Sequence, residues 1–154
     1  MRTMLISLRP DVFKRIKSGE KIFEHRRVFP NETIKAYIYV SRPVQAIRGV
    51  MILGNKVHLK DWLDKYSYDE SAVQRITEYM EHYQVVMEIQ EFQDTNEITL
   101  SDIKKRFPQF VIPQMYYYLN DLPVGKYIED NINPNGDKIE NHFDCITSKM
   151  ICVQ

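Results

Sequence analysis

Six short runs rich in β-branched and aromatic residues mark the chain, at 3–8, 21–26, 34–40, 46–53, 84–92 and 145–153. Helical patterns fall between only some of them. Strict strand–helix–strand alternation would point to a parallel α/β sheet, and its absence points to an α+β domain with a curved or closed sheet. The first run, "TMLISL", reads as a buried strand. "RPDVFKRIKSG" then reads as a helix. Pro10 suits its first position, Val12, Phe13 and Ile16 form its apolar stripe, and Gly19 suits the position past its end. That stripe places Lys14, Arg15 and Lys17 on the solvated face. "IKAYIYV" and "AIRGVMIL" are strands joined through the turn "SRP", with Gly49 hinting at a bulge or a close backbone approach and Gly54-Asn55 ending the second.

The middle of the chain is helical. "HLKDWLDKY" carries the only tryptophan, Trp62. In "DESAVQRITEYMEHY", the spacing of Val73, Ile76, Met80 and Tyr83 predicts a core-facing stripe. After a fifth strand, "TLSDIKKRF" predicts a short helix capped by Ser101. Pro108 and Pro113 forbid one continuous helix across the aromatic segment 107–119. A turn at "NPNGD" and a last strand, "CITSKMICV", complete the expected order. A chain of 154 residues with 44% hydrophobic and 27% charged residues can form one globular domain. No apolar run approaches the ~20 residues of a membrane span, and "MRTMLISLRPD" is too short and too soon charged for a secretory signal. A cytoplasmic location is therefore expected.

The net charge of zero hides a division. Residues 1–60 hold 13 Lys/Arg against 4 Asp/Glu, and residues 61–154 hold 8 against 17. Either the halves interleave and neutralise each other, or the first half presents a basic surface suited to an anion such as phosphate. Within that half, "SGEKIFEHRR" places Lys21, Glu24, His25, Arg26 and Arg27 in one short segment. Alternation puts Glu24 and Arg26 on one strand face, with Lys21 and His25 on the other. Glu24 and Arg26 can form a surface ion pair. They can equally flank a ligand, the carboxylate accepting from a base edge and the guanidinium forking onto phosphate or a base. Lys21 follows a glycine that permits a sharp turn, so its ammonium is placed to reach the groove beside the helix end. The histidines show no metal-binding spacing, and Cys145 and Cys152, seven apart without a second pair, make a poor zinc site. No metal or other cofactor is expected.

"GEKIFEHR" fits G-x-K-x-x-E-x-R through Gly19, Lys21, Glu24 and Arg26, which resembles the signature of the ASCH domain family within the PUA-like superfamily. "YIYVSRPV", "AIRGVMIL" and "IPQMYYYL" are similar to later segments of that family, in the same order. The resemblance spans about residues 3–120. It implies an ASCH/PUA-like domain over 1–120, a small β-barrel with helices at its rim, and a C-terminal extension over 121–154 packed on the same domain. It also implies binding of single-stranded RNA or a nucleotide in a cleft beside the signature strand. Candidate contacts are Lys21, Glu24, Arg26, Ser41, Arg42, Gln114, Tyr116 and Tyr117, the rings supplying stacking.

Some relatives in the superfamily are amidohydrolases of N4-acetylcytidine, and some ASCH proteins are ribonucleases. The alternative is therefore a hydrolase acting on RNA or a modified nucleoside through Lys21 and Glu24. The amidohydrolase-like members carry threonine where this chain has Glu24, a departure that weakens the transfer of their mechanism. A protein-interaction module is a third class, for which no specific feature speaks.

Overall fold

Strand β1 (Arg2–Leu8) is buried on both faces, with Met4, Leu5 and Ile6 fully enclosed. In the computed structural model, which describes residues 1–153, it leads into helix α1 (Pro10–Lys17). Pro10 opens that helix with a preset φ, and Asp11 in the first turn and Lys14, Arg15 and Lys17 in the last oppose its dipole. Phe13 and Ile16 are its buried residues, as the stripe predicts. Gly19 then turns the chain with a φ of 81°, a conformation that side chains with a Cβ disfavour.

Strands β2 (Phe23–Arg26), β3 (Ile34–Val40) and β4 (Ala46–His58) follow. Helices α2 (Leu59–Lys65) and α3 (Glu70–Tyr79) separate them from β5 (Val85–Thr99). The chain continues through α4 (Leu100–Arg106), β6 (Tyr116–Tyr118), α5 (Pro123–Asn131) and β7 (Ile139–Glu140), then a 3-10 turn at Ser148–Met150. No helix among the described residues is long and apolar enough to cross a membrane.

The sheet runs in the order β2-β5-β4-β3-β1-β6, with β7 added to β5. β1 and β3 pair parallel and the remaining pairs are antiparallel. Register shifts along β4 and β5, at Ile47/Gly49, Ile52/Leu53 and Gly54/Val57, bend the long strands and tighten their twist. The sheet therefore curls until residues beside its two edges meet. Phe29, just beyond β2, packs on Tyr116 of β6 with ring centroids 5.5 Å apart. The result is an α+β half-barrel. Its interior is filled from the strands by Ile6, Ile38, Met51 and Phe92, with Phe13 and Ile16 of α1 as a plug. A second cluster lies on the outer face under α4 and α5, around Leu5, Tyr37, Ile103 and Ile128. A third joins Phe23 and Val86 to Trp62, Ile76 and Cys152. Residues from 121 onward enter all three, through Ile139, Ile128 and Cys152.

Four local expectations are corrected. Gly54-Asn55 does not end β4: Asn55 takes a φ of 52° inside a bulge and the strand resumes to His58. Thr99, not Ser101, caps α4, its hydroxyl accepting from the Asp102 amide at 3.1 Å. In α3 the buried residues are Ala72 and Ile76. The helix stops at Tyr79, so Met80 and Tyr83 fall beyond it and are each 37% exposed. No strand forms over 145–153. Arg75 donates there to the carbonyls of Ser148 and Ile151, and Asp69 accepts from the Ser148 hydroxyl, so side chains of α3 and its cap take the place of a strand partner.

Candidate functional site

The end of β1, the flank of α1 and the strand β2 enclose a cleft of about 300 Å³. β2 is an edge strand, pairing with β5 on one side only. The turn at Gly19 brings the Lys21 amide to the Arg15 carbonyl at 2.9 Å, which folds Lys21 back under the last turn of α1. Lys21, Glu24 and Arg26 thus line the cleft together, joined by Arg9 and Arg15 from the β1–α1 side and by His25, Tyr79 and Tyr83. Among the described residues, four cationic side chains and a single side-chain carboxylate line this space, Arg9 also standing 3.4 Å from Asp11.

Glu24 is only 6% exposed. Its Oε1 accepts from the His25 amide at 3.1 Å and stands 3.8 Å from Arg26 Nε. Among the described residues its Oε2 is buried without a hydrogen-bond partner, and so is Arg26 Nε. Leaving a buried donor or acceptor unpaired costs about 1–3 kcal/mol, more when it is charged. Two such atoms on neighbouring charged groups at the wall of a cleft are the arrangement expected where an external molecule completes the bonding.

Burial pushes the Lys21 amine below the ordinary lysine value; Glu24 opposes that shift, and the charges of Arg15 and Arg26 add to it. Burial, assisted by Lys21, drives the His25 imidazole down to about 3, so it is neutral near pH 7. Its Nε2 lies 4.0 Å from Cys152 Sγ, and burial pushes that thiol up to about 12. His25 also packs edge-on to Tyr79 at 4.7 Å. A neutral, enclosed imidazole is a poor proton shuttle at neutral pH.

Alternation places Lys21 and His25 away from Glu24 and Arg26, and here the structure differs. Lys21 precedes β2 and lies in the turn, where strand alternation does not apply. His25 lines the cleft among the aromatic rings of the α3–β5 connection. The remaining sequence candidates lie outside it. Ser41 sits beside the end of β1, its amide donating to the Leu8 carbonyl at 3.0 Å, and Arg42 is exposed. Gln114 is exposed on the segment before β6. Tyr116 stacks into the edge-to-edge contact with Phe29; burial raises its hydroxyl pKa, and the charge of Arg26 acts against that. Tyr117 is on the other sheet face, opposite Leu5, and its hydroxyl donates to the Val111 carbonyl at 2.8 Å.

Sequence reasoning missed Arg9, Arg15, Tyr79 and Tyr83. Arg15 lies three residues after Val12, and both line the cleft, on a flank of α1 that the sequence marks only as solvated. Among the described residues, no group of three or more His, Cys, Asp or Glu side chains is placed to hold a metal.

No family model matches this sequence, and no curated protein matches it. Solved structures do match. The crystal structure of ASCH from Zymomonas mobilis superposes with a TM-score of 0.62 at 25% identity, over 83% of this chain and 94% of that one. A serine-to-alanine variant of that protein gives 0.63 at 25% identity, over 83% and 95%. A tyrosine-to-phenylalanine variant gives 0.62 at 24% identity, over 84% and 98%. These matches support assignment of the chain to the ASCH domain family. The curled mixed sheet is accordingly the ASCH architecture, an α+β barrel of the PUA-like kind. In this ASCH domain the segment from Gly19 to Arg26 forms the turn and edge strand that wall the cleft.

Proposed function

We propose that the cleft beside β2 binds RNA, as an unpaired single strand or a nucleotide. The observation that carries this reading is the pair of orphaned atoms, Glu24 Oε2 and Arg26 Nε, in a cleft also lined by Arg9, Arg15 and Lys21. An acceptor beside a donor complements the edge of an unpaired base, which offers donors and acceptors side by side. The surrounding cations suit the phosphate that accompanies it. Ser41, Arg42 and Gln114 belong at most to the approach of a longer strand, because they stand outside the cleft.

The test is titration of end-labelled single-stranded oligoribonucleotides with wild type, Arg26→Ala and Glu24→Gln, read on native and denaturing gels. Removing a charge-assisted contact weakens binding by about tenfold or more in Arg26→Ala, while its circular dichroism stays that of wild type. Equal affinity of wild type and Arg26→Ala across the panel would sink the assignment.

The depressed pKa of Lys21 favours a second reading, a hydrolase on RNA or a modified nucleoside. An amine whose pKa is lowered, beside a carboxylate, gives up its proton more readily and can then serve as base or nucleophile. Shortened RNA on the denaturing gel, or deacylation of acylated cytidines, supports this reading. Intact substrates at high protein concentration reject it.

A further inference from the structure

The aromatic segment 116–118 does not supply a stacking surface in the cleft; Tyr83 stands where one is needed. It lines the cleft from the α3–β5 connection, while Arg9 and Arg15 line it from the β1–α1 side. Its backbone is fixed at both ends. Its amide donates to the Tyr79 carbonyl at 2.9 Å, and the next amide, Gln84, donates to the Arg26 carbonyl at 3.0 Å. The ring is therefore held in a set relation to Arg26. Its centroid lies 5.9 Å from that of His25 and 6.0 Å from that of Tyr79, the planes tilted by 42° and 53°, so the two neighbouring rings buttress it. Unlike the enclosed His25, Tyr83 remains 37% exposed. The cleft, about 300 Å³, is at the lower limit for a small-molecule site and has no room for a duplex. Among the described residues, neither Arg15 nor Lys21 takes part in an ion pair.

We infer that Tyr83 is the stacking surface for one unpaired base, and that the ligand carries a phosphate received by Arg15 and Lys21. The ligand class is a nucleotide, free or within a single strand, and not an unphosphorylated nucleoside. This rests on the nucleic-acid reading of the cleft. Stacking is insensitive to base identity because every base has a π-face, so Tyr83 contributes affinity while Glu24 and Arg26 contribute discrimination.

The experiment is calorimetric titration of the full chain with inorganic phosphate, the four ribonucleosides, their 5′-monophosphates and a short single-stranded oligoribonucleotide. Wild type, Tyr83→Phe, Tyr83→Ala and Arg26→Ala are compared, with thermal unfolding as the control for folding. The expected result is binding of the monophosphates and the oligonucleotide at least about tenfold tighter than the nucleosides. Tyr83→Ala loses about tenfold or more on every ligand that carries a base, and Tyr83→Phe keeps wild-type affinity. Wild-type affinity in Tyr83→Ala, with weakened binding in Arg26→Ala, overturns the stacking role and leaves the cleft reading standing. Nucleosides binding as tightly as their monophosphates overturn the phosphate requirement. Absence of binding to every probe in wild type removes the cleft reading and this inference together.

Discussion

His25 shows how one residue ties the stability of the domain to its cleft. Its imidazole is enclosed by Tyr79, Tyr83 and Cys152 and held neutral, with a pKa of about 3 against an ordinary 6.5. Because the folded value is the lower one, the unfolded chain binds the extra proton between the two. Stability is then complete above pH 6.5 and falls as pH drops toward 3, by an amount on the order of a few kcal/mol. Thermal unfolding of wild type and His25→Gln between pH 7.5 and 4.5 checks this. The wild-type melting temperature should fall more steeply than that of the variant, and parallel curves would refute it. Glu24 and Arg26 were legible as a pair from period-2 alternation. Lys21 was legible through its glycine, although not its side. Arg15 was not, because helical periodicity separates core from surface but does not say which flank meets a neighbouring strand. Tyr83 was hidden because its place depends on the bond from Gln84 to Arg26, a contact that no local pattern encodes.

At the level of elements, the C-terminal segment is held to α3 by side chains. Arg75 donates to Ser148 O at 2.6 Å and to Ile151 O at 3.3 Å, and the Ser148 hydroxyl donates to Asp69 Oδ2 at 2.6 Å. Arg75→Ala removes two charge-assisted bonds, so the segment should detach while the sheet persists. The measurement is alkylation by iodoacetamide at pH 8. In the wild type the exposed Cys145 is labelled and Cys152, buried and with a thiol pKa of about 12, is protected. In Arg75→Ala, Cys152 should become reactive; continued protection would show that packing alone holds it. "CITSKMICV" has the β-branched and apolar residues of a strand, and that composition misled because Arg75 and Asp69 meet its polar groups from a helix and its cap. The strands 34–40 and 46–53 were legible because both are nearly continuous apolar runs. The irregularity beside Gly49 was legible too, and the need for glycine there is steric. A Cβ there would lie 3.0 Å from a Phe92 ring carbon and 3.1 Å from one of Phe13. Gly49→Ala should destabilise the domain by about 1–3 kcal/mol through overpacking, readable by urea unfolding; an unchanged midpoint would contradict that account.

Across the whole molecule, the division of charge along the chain resolves into two parts. Some of the acidic half does neutralise the basic half across the sheet: Asp94 pairs with Lys17 at 3.0 Å and lies 4.0 Å from Arg48, whose guanidinium also reaches Glu97. Four more of the basic half's cations, Arg9, Arg15, Lys21 and Arg26, line the cleft with Glu24, Arg9 also standing 3.4 Å from Asp11, and the others are spread over the rest of the surface. Composition could report the imbalance but not its sorting, since that depends on β2 joining the sheet beside β5 rather than beside β1 or β3. The central claim, that this cleft holds an unpaired nucleotide chain by its phosphates and a base, is tested most directly by the salt dependence of single-stranded RNA affinity. Log K should fall as log salt concentration rises in wild type, and the slope should be shallower by about 0.7 in Arg15→Ala. An affinity independent of salt, or an identical slope in the variant, would contradict it.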